Sequence, residues 1–213
     1  MKYIVTAIAK ITGALALLIF YRPKVFYINK QKQSRRIKGG AVLVSNHTSL
    51  SDFPLMLLIF PFRFVRYLMA EVLFKTNGLL NWFLTNIGGI YVNRDTRDMS
   101  FMTESLKILA KGGVVGSFPE ARLVASGELL PFTLSTVSIA LKSGVPIIPV
   151  YLTRRAKRFQ KAYVMIGEPI HIGDYCDTVD PGIERLKELS ELLRDSIIGL
   201  RTELRVRIHN EQA

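Results

Sequence analysis

The stretch GGAVLVSNHTSLSDFPLMLLIF, residues 39–60, reads as a strand, a turn and the beginning of a helix. Residues 41–45 are short, apolar and rich in β-branched side chains, which is typical of a strand. Ser51 is predicted to be the N-cap of the helix, so that Asp52 is its first residue. The turn between the two elements holds His47. Because ligands of α/β domains gather at the carboxyl ends of strands, this turn is a candidate functional site.

The alternation of short strands and helices continues along the chain. Further strands are predicted at residues 63–69, 88–93, 113–118, 146–152 and 162–167, and helices between them end at Gly112 and Gly144. The pattern predicts one α/β domain over residues 39–213, with a mixed, largely parallel sheet flanked by helices. A long amphipathic helix from Pro181 to about Arg207 ends the domain. Its apolar stripe is expected to pack on the domain, the alternative being contact with lipid or a partner chain.

Length and composition exclude several classes of protein. The chain has 213 residues, which suits one domain of ordinary size and excludes a large multidomain protein. Hydrophobic residues make up 49% of the chain, too many for a disordered protein. The single cysteine, Cys176, cannot form an internal disulfide or a zinc cluster, and a reducing cytoplasmic setting fits this composition.

The N-terminal quarter of the chain is both apolar and strongly basic. Nine of the 29 basic residues and none of the 17 acidic residues precede Asp52, although the formal net charge of the whole chain is +12. Residues 3–21 are apolar apart from Lys10 and a few small polar groups, a pattern that favours a membrane over nucleic acid. Residues 1–38 are therefore predicted to be a membrane anchor, an apolar helix with a basic collar. An interfacial or re-entrant helix, a true span and a soluble core helix stay open.

The spacing of His47 and Asp52 allows acid–base chemistry. A turn followed by the start of a helix can fold the carboxylate back onto the imidazole, which fixes the tautomer and leaves the other ring nitrogen free to accept a proton. By itself the pair is a weak signal, and a structural histidine is the alternative. The remaining histidines, His171 and His209, lack the spacing of metal ligands, so no metal is expected.

Three further segments accompany the His47 turn. GGIYVNR (residues 88–94) ends a strand with an arginine, FPEAR (118–122) places a carboxylate and an arginine just past a strand, and VPIIPV (145–150) is a strand bracketed by prolines. Together with NHTSLSD (46–52), these blocks resemble, in order, those of the glycerolipid acyltransferases, the lysophospholipid acyltransferase family. The resemblance covers about residues 40–155. It departs from the family in the third block, where alanine replaces the usual glycine and the arginine comes one position early.

The resemblance implies a role for each residue that matches. His47 would be the general base and Asp52 would orient it. Arg94, together with Arg122, would bind the phosphate of the acceptor, and Glu120 would hold the acceptor or the polar network of the pocket. The residues expected to shape the pocket are Asn46, Gly89, Pro119, Pro146 and Pro149.

The function that the resemblance implies is acyl transfer at the cytoplasmic face of a membrane, by a peripheral, monotopic or single-pass protein. A fatty acyl group would move from acyl-CoA or acyl-carrier protein, as co-substrate, to the free hydroxyl of a lysophospholipid, with 1-acylglycerol-3-phosphate as the leading acceptor and phosphatidic acid as the product. No cofactor is implied, and the expected partner surface is an anionic phospholipid membrane rather than nucleic acid. The alternative is a non-catalytic phospholipid-binding module with the same fold.

Overall fold

A computed structural model of the chain describes residues 22–93, 98–122, 128–153 and 161–212. The predicted N-terminal helix at residues 3–21 and the side chain of Arg94 lie outside the described residues. The strands are β1 (Lys24–Tyr27), β2 (Ala41–Ser45), β3 (Val65–Ala70), β4 (Ile90–Val92), β5 (Val114–Ser117), β6 (Ile147–Leu152) and β7 (Tyr163–Ile166). The α-helices are α1 (Asp52–Ile59), α2 (Glu71–Lys75), α3 (Gly78–Asn86), α4 (Ser100–Ala110), α5 (Leu134–Ser143) and α6 (Ile183–Gln212), and a short 3₁₀ helix spans Ile172–Tyr175.

The described strands form one mixed sheet in the order β1-β7-β6-β2-β5-β3-β4. The five strands from β6 to β4 are parallel, whereas β7 is antiparallel to β6 and β1 is parallel to β7. The prediction of a mixed, largely parallel sheet is confirmed. We call the edge where β2, β3, β5 and β6 end the carboxyl edge, and the edge where they begin the amino edge.

Helices cover both faces of this sheet, which explains why β2 is apolar throughout. Val42 and Val44 pack under α4, α5 and α6, while Ala41 and Leu43 pack against α1 and α3. All five residues of β2 are buried. A strand in the middle of a parallel sheet meets no water on either face, so its sequence does not alternate.

The C-terminal helix α6 packs on the domain, as the pattern predicted. Its apolar stripe contributes the buried side chains of Leu189, Leu193, Ile197, Leu200 and Leu204 to the core beside α5 and β6. Burying a leucine or isoleucine stabilises a fold by about 1.5–3 kcal/mol, so this stripe is a major part of the core. Across residues 22–93, 98–122, 128–153 and 161–212, no helix has both the length and the hydropathy that crossing a membrane requires.

The predicted boundary at residue 38 differs from the structure, because β1 is a strand of the sheet. Lys24 begins β1 beside Tyr163 at the carboxyl edge, where its backbone N–H donates to the carbonyl of Ala162. The α/β domain therefore begins before residue 39. The segment was missed because four residues at a sheet edge carry little pattern of their own and owe their strand conformation to pairing with β7.

The predicted basic collar is divided between the two edges: Lys32, Arg36 and Lys38 lie at the amino edge, whereas Lys24 lies at the carboxyl edge. The Arg63 guanidinium, which precedes β3, donates to the carbonyls of Ile37 and Gly39 at 2.8 Å each, and Arg35 donates to those of Leu58 and Ile59 at the end of α1. Residues 31–38 therefore lie away from the strand ends that carry His47. The sequence could not show this, since the position of the collar depends on the direction in which β1 runs.

Candidate active site

The turn between β2 and α1 is closed by the side chain of Asp52. Its Oδ2 accepts hydrogen bonds from the backbone N–H groups of Thr48, at 2.7 Å, and Ser49, at 2.8 Å. Asp52 is the first residue of α1, as predicted, but the Ser51 side chain makes no capping hydrogen bond. The carboxylate satisfies two turn amides instead, and this fixes the conformation of the segment that carries His47.

His47 and Asp52 are in contact, as the sequence predicted. His47 Nδ1 lies 3.2 Å from Asp52 Oδ2, the same oxygen that accepts the two backbone N–H groups. The side chain of His47 is 17% exposed and that of Asp52 only 6%. Because Oδ2 is an acceptor, the geometry favours the tautomer with a proton on Nδ1 and a free lone pair on Nε2. This is the arrangement that a general base requires.

Glu120 holds the backbone of the same turn from the other side. Its Oε1 accepts the His47 N–H at 2.9 Å, and its Oε2 accepts the Leu130 N–H at 3.2 Å. Burial raises the pKa of Glu120, while these two hydrogen bonds act in the opposite direction. Glu120 therefore belongs to the polar network that positions His47, one of the two roles predicted for it.

Asn46 fixes the end of β2 against the end of β6. Its Oδ1 accepts the Leu152 N–H at 2.7 Å, and its Nδ2 donates to the Leu152 carbonyl at 2.9 Å. Asn46 is buried, so His47 directly follows a residue that is held against the neighbouring strand by two hydrogen bonds. Asn46 acts on the site through the backbone and is absent from the pocket lining.

An aromatic stack, formed by Phe53, Tyr67 and Phe118, supports the imidazole. The ring of Phe118 lies 4.2 Å from that of His47 with an interplanar angle of 19°, Tyr67 stacks on Phe118 at 5.3 Å, and Phe53 meets Tyr67 edge-on at 5.2 Å. Burial raises the pKa of the Tyr67 hydroxyl, which has no hydrogen-bond partner among the described residues. Sequence reasoning missed this stack, and only the position of Phe118 beside the FPEAR block hinted at it.

Gly116 makes room for the stack. A Cβ at this position would lie 2.4 Å from Cε1 of Tyr67 and 2.6 Å from its Cδ1 and Cζ. Such distances are far below van der Waals contact, so any side chain on residue 116 would displace the Tyr67 ring. Glycine at position 116 of β5 therefore leaves the space that the Tyr67 ring occupies.

A pocket of about 540 Å³ opens beside His47. It is of the size of a small-molecule site, and its polar groups are few. His47 and Arg122 line it, and Arg122 is exposed. The rest of its wall is mainly apolar and includes Leu50, Phe53, Leu68, Val72, Leu73 and Leu80. A pocket of this kind can hold an alkyl chain beside a proton acceptor.

A second, more polar pocket of about 360 Å³ shares a wall with the first. Leu68, Met69, Phe118 and Ala121 line both pockets. Polar residues on the side away from the first pocket are Asn93, Asp98, Ser117, Thr133 and Ser135. Asn93 directly precedes Arg94, the predicted phosphate-binding residue, in the sequence.

The third block has an unusual backbone at its departure from the family pattern. Ala121 adopts a φ of +57°, in the left-handed region that disfavours a side chain by about 1–2 kcal/mol. The glycine that is usual at this position would accept the conformation freely. The block thus keeps a glycine-type turn, and Arg122, which follows it, still reaches the pocket beside His47.

The remaining residues predicted to shape the pocket are spread over the fold. Gly89 lies below the first pocket, where a Cβ would come within 3.0 Å of Met69 Sδ and of the Phe74 ring. The Pro119 carbonyl accepts the N–H of Thr133, which lines the second pocket.

Pro146 and Pro149 do not line either pocket at the carboxyl edge. Pro146 precedes β6 at the amino edge and lines a different cavity there. Pro149 lies inside β6, where its ring sits close to the backbone of Gly167. Both prolines therefore lie away from these two pockets: Pro146 is separated from the carboxyl edge by the six residues of β6, and Pro149 lies within that strand beside Gly167.

The described part of the chain holds no cluster of side chains that could bind a metal ion. No three His, Cys, Asp or Glu side chains converge there to hold an ion. The chemical groups at the carboxyl edge are an oriented imidazole, buried carboxylates, an exposed guanidinium and an apolar pocket.

Comparison with known proteins identifies a family and several relatives that this chain resembles. A family model described as acyltransferase matches residues 24–153. A 1-acyl-sn-glycerol-3-phosphate acyltransferase of Bacillus subtilis is 27% identical over 198 residues, which cover 90% of this chain and 96% of that protein. The human 1-acyl-sn-glycerol-3-phosphate acyltransferase beta is 30% identical over 122 residues, 56% of this chain and 44% of its own. A crystal structure of the 1-acyl-sn-glycerophosphate acyltransferase PlsC from Thermotoga maritima shares the fold, with a TM-score of 0.64 over 94% of this chain and 80% of that one, at 23% identity.

Proposed function

This chain belongs to the acyltransferase family and is an O-acyltransferase, and we propose that it acylates a lysophospholipid at a membrane. The donor is a fatty thioester, either acyl-CoA or acyl-carrier protein. The leading acceptor is 1-acylglycerol-3-phosphate, the substrate named for its relatives, and the product is phosphatidic acid. The observation that carries the proposal is the contact of His47 with Asp52 at the mouth of an apolar pocket.

The chemistry requires one proton acceptor and no covalent enzyme intermediate. His47 Nε2 takes the proton of the acceptor hydroxyl as its oxygen attacks the thioester carbonyl carbon. The imidazolium that forms is stabilised by Asp52, 3.2 Å from Nδ1. When the tetrahedral intermediate collapses, the carbon–sulfur bond breaks, and His47 returns the proton to the leaving thiolate. A new ester and a free thiol are the products.

The two pockets divide the substrates between them. The apolar pocket suits the acyl chain, and Arg122 at its wall can pair with a phosphate, for which a guanidinium is well shaped. Asn93 lines the second pocket, and Arg94, which follows it in the sequence, is the other phosphate ligand of the proposal. The acceptor hydroxyl then approaches His47 along the wall that the pockets share. The lipid nature of both substrates favours a site at the cytoplasmic face of a membrane.

The test combines an acceptor screen with two histidine variants. Purified protein in detergent receives acyl-CoA or acyl-carrier protein with lysophospholipids of different headgroup, and thiol release and product lipid are measured. We expect His47→Ala to lower kcat by about 10²–10⁴-fold, since positioned acid–base groups contribute that much. His171→Ala is the matched control, because His171 is exposed at the amino edge. Near wild-type turnover by His47→Ala would remove His47 as the base, and transfer only to other headgroups would correct the acceptor.

The sequence also allowed a non-catalytic lipid-binding module as an alternative to the enzyme, and the site geometry does not favour it. Such a module has no need of a base held by Asp52 and Glu120, yet both contacts are intact.

A further inference from the structure

Five large apolar side chains are exposed at the pocket that begins at His47 or on helix α3, whose inner face lines that pocket. Leu50 is 70% exposed, Val72 67%, Leu79 77%, Trp82 50% and Phe83 38%. We call these residues the apolar rim. Single exposed apolar residues are ordinary, whereas a cluster at the entrance of a site marks an interaction surface.

Helix α3 contributes most of the rim and has two apolar sides. Leu79, Trp82 and Phe83 follow the spacing i, i+3, i+4, which places them on one outward face. Leu80 and Leu84, on the inner face, line the pocket. None of the nine residues of α3 is charged. A helix that faces water normally carries charge on its outer face, so this composition is typical of a helix at an apolar boundary.

The rim is continuous with the proposed acyl site. Leu50 and Val72 are exposed and also line the pocket, so the pocket opens onto the rim itself. An alkyl chain that entered from a bilayer against the rim would reach His47 without crossing water. This step rests on the proposed function, because it takes the ligand of the pocket to be an acyl chain.

The direction of the chain points to the same edge. The rim lies at the carboxyl edge, where Lys24 begins β1, and the apolar sequence of residues 3–21 precedes it directly. Cations occur at both edges of the sheet. Arg36, Lys38, Arg63, Lys107 and Lys111 lie at the amino edge, whereas Lys24 and Arg122 lie at the carboxyl edge and Lys75 ends α2 beside the rim. The basic side chains at the carboxyl edge suit the anionic headgroups of a bilayer whose hydrocarbon meets the rim.

We propose that the apolar rim is a docking surface for a phospholipid bilayer, with Leu79, Trp82 and Phe83 inserted among the lipids so that the pocket opens into one leaflet. The occupant is lipid rather than a stable protein partner, because the pocket opens between Leu50 and Val72 of the rim and must stay open to an acyl chain. The basic amino edge then faces away from the membrane.

The chain carries its own reporter, since Trp82 is its single tryptophan. The full chain is reconstituted into phosphatidylcholine–phosphatidylglycerol vesicles with and without bromine on the acyl chains. We expect the emission of Trp82 to shift to the blue with vesicles and to be strongly quenched by the brominated lipid. The matched control is the double variant Trp82→Phe, Phe62→Trp, which moves the reporter to an exposed position near Arg36 at the amino edge. Its emission should stay water-like and unquenched.

A charged substitution tests the functional consequence. Leu79 lies in the first turn of α3, where a carboxylate favours the helix, so Leu79→Glu should fold while it opposes insertion. We expect it to lose Trp82 quenching and activity on vesicle substrates, and to keep wild-type activity on a short-chain acceptor in detergent. Val179→Glu is the control, because Val179 is exposed beside the Lys142–Asp180 ion pair, away from the rim.

The outcomes separate this proposal from acyl transfer itself. Quenching of Trp82 in a protein without turnover would leave docking intact and overturn the proposed function. Two outcomes would overturn docking in a protein whose acyl transfer depends on His47. One is that brominated lipid does not quench Trp82; the other is that it quenches the Phe62→Trp reporter more strongly than Trp82. Emission of Trp82 that is already blue-shifted without vesicles and stays unquenched would mean that residues 1–21 or a second copy cover the rim, and would also overturn it.

Discussion

Replacing Asp52 by asparagine separates the charge of this residue from its structural role. Three donors, the backbone N–H groups of Thr48 and Ser49 and Nδ1 of His47, meet at the single oxygen Oδ2. The amide oxygen of an asparagine can occupy that position and keep all three contacts. Only the negative charge is then lost.

The magnitude follows from the distance. At 3.2 Å between His47 Nδ1 and Asp52 Oδ2, a carboxylate attracts an imidazolium by about 5 kcal/mol at an effective dielectric constant of about 20. A neutral hydrogen bond from the amide retains about 1–1.5 kcal/mol of this. The transition state therefore loses about 3–4 kcal/mol, a decrease in kcat of about 10²–10³-fold.

Asparagine and alanine at position 52 should lower the stability of the fold by different amounts. Asp52→Asn should lower the free energy of unfolding by about 1 kcal/mol, whereas Asp52→Ala leaves the N–H groups of Thr48 and Ser49 without their acceptor and should cost about 2–4 kcal/mol. The assay pairs kcat from thiol release with denaturant unfolding of each variant. Wild-type kcat in Asp52→Asn, or equal loss of stability in both variants, would refute this reasoning.

Three further predictions concern the support of the site. Gly116→Ala should displace the Tyr67 ring, cost about 1–3 kcal/mol in unfolding free energy and lower kcat, and an unchanged melting temperature would contradict this. Ala121→Gly should relieve the strain of the φ of +57° and raise the unfolding free energy by up to about 1 kcal/mol, so a less stable variant would count against it. Burial raises the pKa of Glu120 above its ordinary value of 4.5, so the free energy of unfolding of the wild type should fall as pH rises from about 4.5 through that raised pKa. Glu120→Gln should not show this fall. A stability difference between the two proteins that stays constant from about pH 4 to pH 8 would contradict this prediction.

The local sequence was sufficient to predict those features that depend on residues close together in the chain. The strand β2, the start of α1 at Asp52 and the contact of Asp52 with His47 all lie within one stretch of twelve residues, 41–52, and were predicted from it. The buried stripe of α6 was equally readable, since a helix repeats its inward face every three or four residues.

Long-range contacts decided the rest. The strand β1 exists because it pairs with β7, about 140 residues later, and the direction of β1 places the basic segment of residues 31–38 at the amino edge. Pro146 was predicted to shape the pocket because of the VPIIPV block. It lies at the opposite edge because β6 begins there and runs toward the site. Hydrogen bonds between strands have no signature in the order of residues on one strand alone.

The sequence by itself determined the chemical groups of this protein, a histidine and an aspartate in a strand-to-helix turn of an α/β domain, because turn chemistry and hydrophobic periodicity act over a few residues. Only the tertiary structure decided what surrounds them: Glu120 on the His47 backbone, the aromatic stack against the imidazole, and an apolar rim at the mouth of the pocket. These contacts join residues that are distant in sequence, and they depend on the order and direction of the strands, which packing of the whole chain selects.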